Sequence, residues 1–188
     1  MQGYLAALSI VLLLGLVIFR VLWLNQSGIS AMNFGRLDKR DFLIPPFVLF
    51  YFYTIFAAAF GWPLLSNQRF FHSDSLAWAG VFLSYAGLVF MLLSLVSFGK
   101  SFRIGIDVDR PDRLVTSGIF AHTRNPIYVA FFCVLIGQFL VFPNWVLLLY
   151  IIGGILLIHR QVLREEEFLR GHYGQEYVDY CRRVRRYL

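Results

Sequence analysis

Polar residues able to do chemistry concentrate in two segments of the chain, residues 99–128 and 159–188. Together the segments hold 12 of the 17 basic residues and eight of the 11 acidic ones. Each segment adjoins a long apolar stretch, where charged groups are costly unless they have partners or a function. We therefore interpret the two segments as two halves of one site.

In the first segment, His122, Arg124 and Asn125 stand directly before Pro126. An arginine binds a carboxylate through a planar, bidentate fork. An asparagine donates and accepts hydrogen bonds but cannot act as a proton carrier. This combination favours the binding of a charged ligand over proton transfer.

A turn is predicted just upstream, at Thr116-Ser117-Gly118, because glycine permits an unusual backbone shape or a close approach. Leu114 and Val115, directly before it, offer backbone amides and carbonyls to a planar ring. By themselves these signals are weak. The sequence contains none of the glycine-rich motifs GxGxxG, GxxxxGK[ST] or GxSxG, which argues against a Rossmann, P-loop or hydrolase site.

In the second segment, the charged residues are Arg160, Arg164 and the three consecutive glutamates Glu165–Glu167. Arg160 and Arg164 are four residues apart and share a helix face, with Glu167 near it. Glu165 and Glu166 point elsewhere, about 100° apart on a helix. Three carboxylates suit a ligand with hydroxyls or a cation, but for the run alone a solvated helix turn with intrahelical ion pairs is favoured, since such runs are common and weakly stabilising.

Metal binding is not expected from this sequence. His122 and His159 accompany the glutamates, but their spacing fits no standard metal site. Cys133 and Cys181 are far apart and form no CxxC pattern, so we interpret them as packing thiols.

The composition places the protein in the membrane class. Of its residues 59% are hydrophobic and 15% charged, whereas soluble domains are about 45–50% apolar and about 25% charged. We predict an all-α integral membrane protein, a single membrane domain with three helices in residues 1–98 and a polar loop, helical hairpin and tail in 99–188. The five apolar stretches predicted to span the membrane are Leu5–Leu24, Leu43–Trp62, Leu76–Phe98, Ile127–Val141 and Trp145–Leu163.

The hairpin is predicted from Phe142-Pro143-Asn144, which breaks the last apolar region in two and reads as a tight turn. It would bring the two polar segments together, forming a polar pocket at one membrane face. With five spans, 15 of the 17 basic residues fall on that face. Basic loops stay cytoplasmic, so we predict the N-terminus outside, and the C-terminus and the site in the cytoplasm.

The net charge of +6 is explained by this cytoplasmic membrane face and its anionic lipids. No nucleic-acid-binding module accompanies the charge, so the lipid bilayer is the expected partner and nucleic acid is not. The oligomeric state stays open.

Two strings, LVTSGIFAHTRNPIY and REEEFLRGHYGQEYVDYCRRV, with an apolar hairpin between them, resemble the isoprenylcysteine carboxyl methyltransferase family. That family belongs to a wider group that includes phospholipid methyltransferases. The resemblance covers roughly residues 95–188. It implies an integral membrane enzyme that uses S-adenosylmethionine and releases S-adenosylhomocysteine.

Together with the residue chemistry above, the resemblance assigns cofactor binding to Arg113, Leu114, Val115, Phe120, His122, Arg124, Asn125, Pro126, Tyr128, Glu165 and Glu166. It assigns the orientation of the acceptor to Arg164 or Arg160, with Glu167 as a further catalytic candidate. Asn125 stands where the family's box has histidine, so this position keeps a hydrogen-bonding role and loses any role as an acid or base.

The expected acceptor is a lipophilic membrane substrate, with an isoprenylcysteine-type carboxylate first. A carboxylate is already ionised near neutral pH, so no general base is needed. Catalysis then consists mostly of positioning the reactants and stabilising their charges. A phospholipid amine is the alternative, for which a base among Glu165–Glu167 is needed. Two other classes compete: an NADPH-dependent sterol-type reductase, and a non-enzymatic membrane scaffold.

Overall fold

A computed structural model of the protein describes residues 1–26, 44–62, 69–99 and 114–188. Within these ranges the chain forms helices and no β-strand, which confirms the all-α prediction for this part. The elements are α1 (Gln2–Gln26), α2 (Ile44–Ala59), α3 (Asp74–Phe98), a 3₁₀ turn (Gly118–Ala121), α4 (Pro126–Val141), α5 (Trp145–Tyr173) and α6 (Gln175–Arg183).

Three of these helices, α1, α3 and α5, are long and apolar enough to cross a membrane, with 25, 25 and 29 residues. They support the prediction of a membrane protein. Helices α2 and α4 are also apolar but have 16 residues each, fewer than the roughly 20 of a typical span. The count of five spans and the membrane hairpin therefore stay predictions.

Helix α5 extends ten residues beyond the apolar stretch that we predicted to end at Leu163. Hydropathy marks where a span leaves the membrane, whereas arginine, glutamate and leucine continue to favour helix beyond that point. The helix ends at Gly174, whose φ of +54° is a conformation that suits glycine. Residues 164–167 consequently lie on regular helix, outside the apolar stretch.

Small residues let α3 and α4 pack closely. A Cβ atom on Gly80 would lie 2.5 Å from the carbonyl oxygen of Gly137, and one on Gly87 would lie 2.8 Å from that of Ala130. Close packing through small residues is how membrane helices commonly associate. It fixes α4, and with it the polar residues at the start of that helix.

Polar groups tie this pair of helices to α1. Gln138, fully buried on α4, donates through Nε2 to the Ala6 carbonyl and to Ser9 Oγ, both at 2.9 Å. From α3, the Tyr85 hydroxyl donates to the Leu5 carbonyl at 3.4 Å. Buried polar groups need such partners, so these bonds help to set how α1, α3 and α4 pack around their shared apolar core.

Candidate active site

The start of α4 places two of the predicted site residues. Pro126 is the first residue of the helix, where its missing N–H and fixed φ are favourable. Asn125 caps the helix through its backbone only, since its carbonyl accepts from the Val129 N–H at 3.1 Å. Its side chain is thereby available to other elements.

Glu166, 5% exposed, lies at the centre of the site. Arg186 donates to it in a bidentate manner, from Nε to Oε1 at 3.1 Å and from Nη2 to Oε2 at 2.9 Å. Asn125 Nδ2 donates to Oε1 at 3.4 Å, and Arg124 Nη1 lies 3.5 Å from the same oxygen. We call these four residues the Glu166 cluster. It joins the start of α4 to α5, so the two polar segments meet there.

The segment after α6, residues 184–187, is the third part of the chain that contributes to the cluster. Its backbone lies beside the loop before α4, with a parallel bridge between Thr123 and Arg185. The Arg124 N–H donates to the Arg185 carbonyl at 2.9 Å. The Arg186 carbonyl accepts from Thr123 Oγ1 at 3.3 Å and from Asn125 Nδ2 at 3.1 Å.

Sequence reasoning missed Arg186. It stands among four arginines within residues 182–186, and neither type nor spacing distinguishes it from the other three. The signal lies in the fold, because only the packing of the segment against residues 123–125 brings this particular side chain to Glu166.

The cluster carries a net positive charge, with two guanidinium groups facing one carboxylate. Hydrogen bonding to Glu166 raises the pKa of Arg186, which keeps that side chain charged. Arg124 Nη1 also donates to the Cys181 sulfur, whereas Arg124 Nε is buried and has no hydrogen-bond partner within the described residues. An unpaired buried donor is costly, so this atom is suited to a ligand acceptor.

Glu165 contacts different partners from Glu166, as expected for two side chains that point about 100° apart on a helix. Its Oε1 accepts from the Tyr128 hydroxyl at 2.6 Å and from Gln161 Nε2 at 2.9 Å. Burial raises the pKa of the Glu165 carboxyl, although both hydrogen bonds act in the opposite sense. Glu165 is therefore closer to exchanging a proton at neutral pH than an ordinary glutamate.

The 3₁₀ turn supports the loop before α4. Gly118 has a φ of +64°, and a Cβ there would collide with Ser97, whose Oγ accepts from the Ile119 N–H at 3.3 Å. The predicted need for glycine at this turn is confirmed.

Phe120, on the same turn, is buried and packs edge-on against Phe98 at a centroid distance of 4.5 Å. Its carbonyl accepts from the Tyr180 hydroxyl at 2.7 Å. Burial raises the pKa of Tyr180 to about 12, so this hydroxyl stays a donor at physiological pH. That Phe120 packs on a purine ring stays a prediction.

The remaining predicted residues lie outside the Glu166 cluster. Leu114 and Val115 are half-buried and lead into the 3₁₀ turn, whereas Arg113 lies outside the described residues. The exposed ones are His122, Arg160, Arg164 and Glu167. In the described ranges no three His, Cys, Asp or Glu side chains are grouped as metal ligands, and the absence of a metal stays a prediction.

An apolar groove of about 280 Å³ borders the cluster. It lies between α4 and α5 and is lined by Phe132, Ile136, Ile155, His159 and Tyr187. His159 Nδ1 and the Tyr187 hydroxyl are 3.0 Å apart and form the polar pair of this lining. Since Tyr187 directly follows Arg186, the groove and the Glu166 cluster share the same short segment.

A second cavity, of about 240 Å³, lies at the other end of α4, between the starts of α1 and α3. Its lining includes Arg69, His72 and Asp74. The 16 residues of α4, at 1.5 Å per residue, separate the two ends of that helix by about 24 Å. This cavity is therefore distinct from the site built around Glu166.

Comparison with known families decides what kind of protein carries this site. The sequence model of phospholipid methyltransferases matches residues 76–176, just over half of the chain. The matched range includes Arg124, Asn125 and Glu166.

The chain belongs to the phospholipid methyltransferase family.

The individual relatives are isoprenylcysteine methyltransferases. A probable protein-S-isoprenylcysteine O-methyltransferase of Oryza sativa subsp. indica is 30% identical over 116 residues, which cover 55% of this chain and 59% of the relative. The protein-S-isoprenylcysteine O-methyltransferase of Rattus norvegicus is 28% identical over 140 residues, covering 70% and 49%. That of Schizosaccharomyces pombe is 30% identical over 94 residues, covering 48% and 40%.

The match thus spans between about two fifths and three fifths of the length of these relatives. The resemblance to the isoprenylcysteine carboxyl methyltransferases, within the family that includes phospholipid methyltransferases, is confirmed.

Proposed function

We propose that the protein transfers a methyl group from S-adenosylmethionine to a lipophilic acceptor in the membrane, preferably an isoprenylcysteine-type carboxylate. The observation that carries the proposal is the meeting of Arg124 and Asn125 with Glu166, 3.5 and 3.4 Å away across about 40 residues of chain. All three lie within the range that matches the family. A scaffold would have no reason to assemble charged groups at this place.

The chemistry of the cluster fits the cofactor. Arg124 has a buried Nε without a hydrogen-bond partner in the part of the chain that the structure describes, and it stands in a cluster with excess positive charge. This arrangement suits the carboxylate of an amino acid. Glu166 already accepts hydrogen bonds from Asn125 and Arg186 and forms an ion pair with Arg124. Its contribution is therefore to hold Arg124, and a ribose diol or an ammonium group reaches it only by displacing one of these donors.

Other residues assigned to the cofactor lie on the loop before α4 and on the first turn of that helix. Tyr128, held by Glu165, offers an aromatic face at the start of α4. Phe120, Leu114 and Val115 form the apolar side of the turn, and His122 and Pro126 flank Arg124 on the loop. When bound there, S-adenosylmethionine supplies an electrophilic methyl group on a sulfonium.

The groove between α4 and α5 supports a carboxylate as the acceptor. Among the described residues its polar lining consists of His159 and the Tyr187 hydroxyl, without an aspartate or glutamate. Both groups can donate hydrogen bonds to an anion, whereas no carboxylate among the described lining residues would balance the charge of an ammonium head group. On methylation a carboxylate oxygen forms a bond to the methyl carbon as the methyl–sulfur bond breaks, and no proton has to leave.

Arg160 or Arg164 would orient the carboxylate of the acceptor. Arg160 and Arg164 lie exposed on α5 in the part of the helix that follows His159. Their charges favour the approach of an anionic head group. Glu167, exposed beside them, belongs to the same face.

One observation favours the alternative, a phospholipid amine. An amine must lose a proton to become a nucleophile, and burial raises the pKa of the Glu165 carboxyl above its usual value, which makes it a stronger base. Glu165 is engaged by Tyr128 and Gln161, so its use as a base requires that one of these bonds opens.

The topology that we propose places the site in the cytoplasm. Five spans put the basic segments on one face, as the distribution of Lys and Arg favours. The short helices α2 and α4 then cross the membrane with α1, α3 and α5, and α4 and α5 form the hairpin. A lipid acceptor enters from the bilayer, between α4 and α5.

The acceptor class is tested with S-adenosylmethionine labelled in its methyl group. The purified protein is reconstituted in vesicles containing either a farnesylcysteine carboxylate or phosphatidylethanolamine. We expect label in the farnesylcysteine, released as methanol by alkali because the product is an ester. Alkali-stable label in phosphatidylethanolamine would favour the amine instead, and label in neither lipid would contradict both acceptors.

A further inference from the structure

We propose that Arg186 is a positioning residue of the methyl-transfer site, which holds Glu166 and thereby fixes Arg124 for the cofactor. The inference rests on the proposed function. It assigns a role to the segment after α6, residues 184–187, which neither the family match nor the residue pattern singles out.

The first argument is the geometry of the pair. Arg186 binds both oxygens of Glu166, at 3.1 and 2.9 Å. A bidentate pair fixes the plane of a carboxylate as well as its position. The same oxygen Oε1 also faces Asn125 and Arg124. A Glu166 free to rotate would no longer hold the Arg124 guanidinium in one orientation.

The second argument is burial. The Glu166 side chain is 7% exposed and that of Arg186 is 36% exposed. Helix α6, directly before this segment, contains a comparison pair with the opposite property, Arg182 and Asp179, which are 73% and 50% exposed at 3.4 Å. Exposed pairs contribute little, whereas buried pairs that lose one partner leave a costly charge.

The third argument is that the backbone of this segment docks without the Arg186 side chain. The Arg185 carbonyl accepts from the Arg124 N–H, and the Arg186 carbonyl accepts from Thr123 and Asn125. Substitution of the side chain leaves these bonds in place. Loss of the guanidinium can therefore be studied in a folded protein.

The experiment measures the affinity for S-adenosylhomocysteine by calorimetry on the detergent-purified full chain, with thermal unfolding in parallel. We expect Arg186→Gln to raise the Kd about ten-fold, somewhat less than a fully buried pair would give. Arg186→Lys keeps the charge but not the planar fork of the guanidinium, so its Kd should lie between those of the wild type and Arg186→Gln. Arg182→Gln, the matched control, should bind like the wild type.

A combination with Glu166→Gln separates positioning from general stability. If Arg186 acts through Glu166, the double variant binds no more weakly than Glu166→Gln alone, because both changes remove one interaction. Additive losses would overturn the inference, and so would an unchanged Kd in Arg186→Gln or Arg186→Lys, with or without a lower unfolding temperature. A wild type that binds no S-adenosylhomocysteine would instead defeat the proposed function on which the inference rests.

Discussion

Replacement of Glu166 by glutamine is expected to lower the affinity for S-adenosylhomocysteine by about 100-fold or more. The change removes the one carboxylate that faces both Arg124 and Arg186. Two guanidinium groups then share the site without a counter-ion, and neither keeps its orientation. Removal of one partner from a buried ion pair destabilises a protein by roughly 3–5 kcal/mol, so the unfolding temperature should fall as well.

Calorimetry and thermal unfolding on the same sample separate these effects. Glu176→Gln is the matched control, because Glu176 is an exposed glutamate on the next helix, α6. It should leave both quantities unchanged. A folded Glu166→Gln variant that binds like the wild type would show that the Glu166 cluster is not part of the cofactor site.

The second large effect is expected from Arg124→Gln, which should weaken S-adenosylhomocysteine binding by about 30-fold or more. Arg124 is the cluster's only residue with a buried donor, Nε, that lacks a partner within the described residues, and we assign that donor to the carboxylate of the ligand. Arg124→Lys should not restore binding, because an ammonium group lacks the planar fork.

Truncation of the ligand makes this prediction specific. 5′-Methylthioadenosine keeps the adenine, ribose and thioether but has no amino-acid carboxylate. It should bind the wild type weakly, and Arg124→Gln should change its affinity little. An equal loss for both ligands would mean that Arg124 supports the site as a whole and does not contact the carboxylate.

Several parts of this arrangement could be predicted from sequence because a local physical rule determines them. The positions of α1, α3 and α5 could be predicted from long apolar stretches, because a helix that crosses the hydrocarbon layer needs about 20 consecutive apolar residues. Gly118 was predicted from the need for an unusual backbone at a turn, and its positive φ and its contact with Ser97 explain why glycine is required. The separation of Glu165 from Glu166 followed from helix geometry.

Other parts depend on packing that no local rule reveals. The apolar stretch predicted to span the membrane ends at Leu163, whereas α5 continues for ten more residues, because hydropathy reports the membrane and not the helix. The resemblance assigned Phe120 to the cofactor, and only the fold shows that its ring also packs against Phe98. Arg186 and the His159–Tyr187 pair emerge only when the segment after α6 returns to the start of α4.

The measurement that tests the central claim most directly is a calorimetric titration of the detergent-purified protein with S-adenosylhomocysteine and, separately, with NADPH. The account predicts saturable binding of S-adenosylhomocysteine and none of NADPH. Binding of NADPH alone by a folded sample would contradict the methyltransferase and favour a reductase, and binding of neither would favour a membrane scaffold.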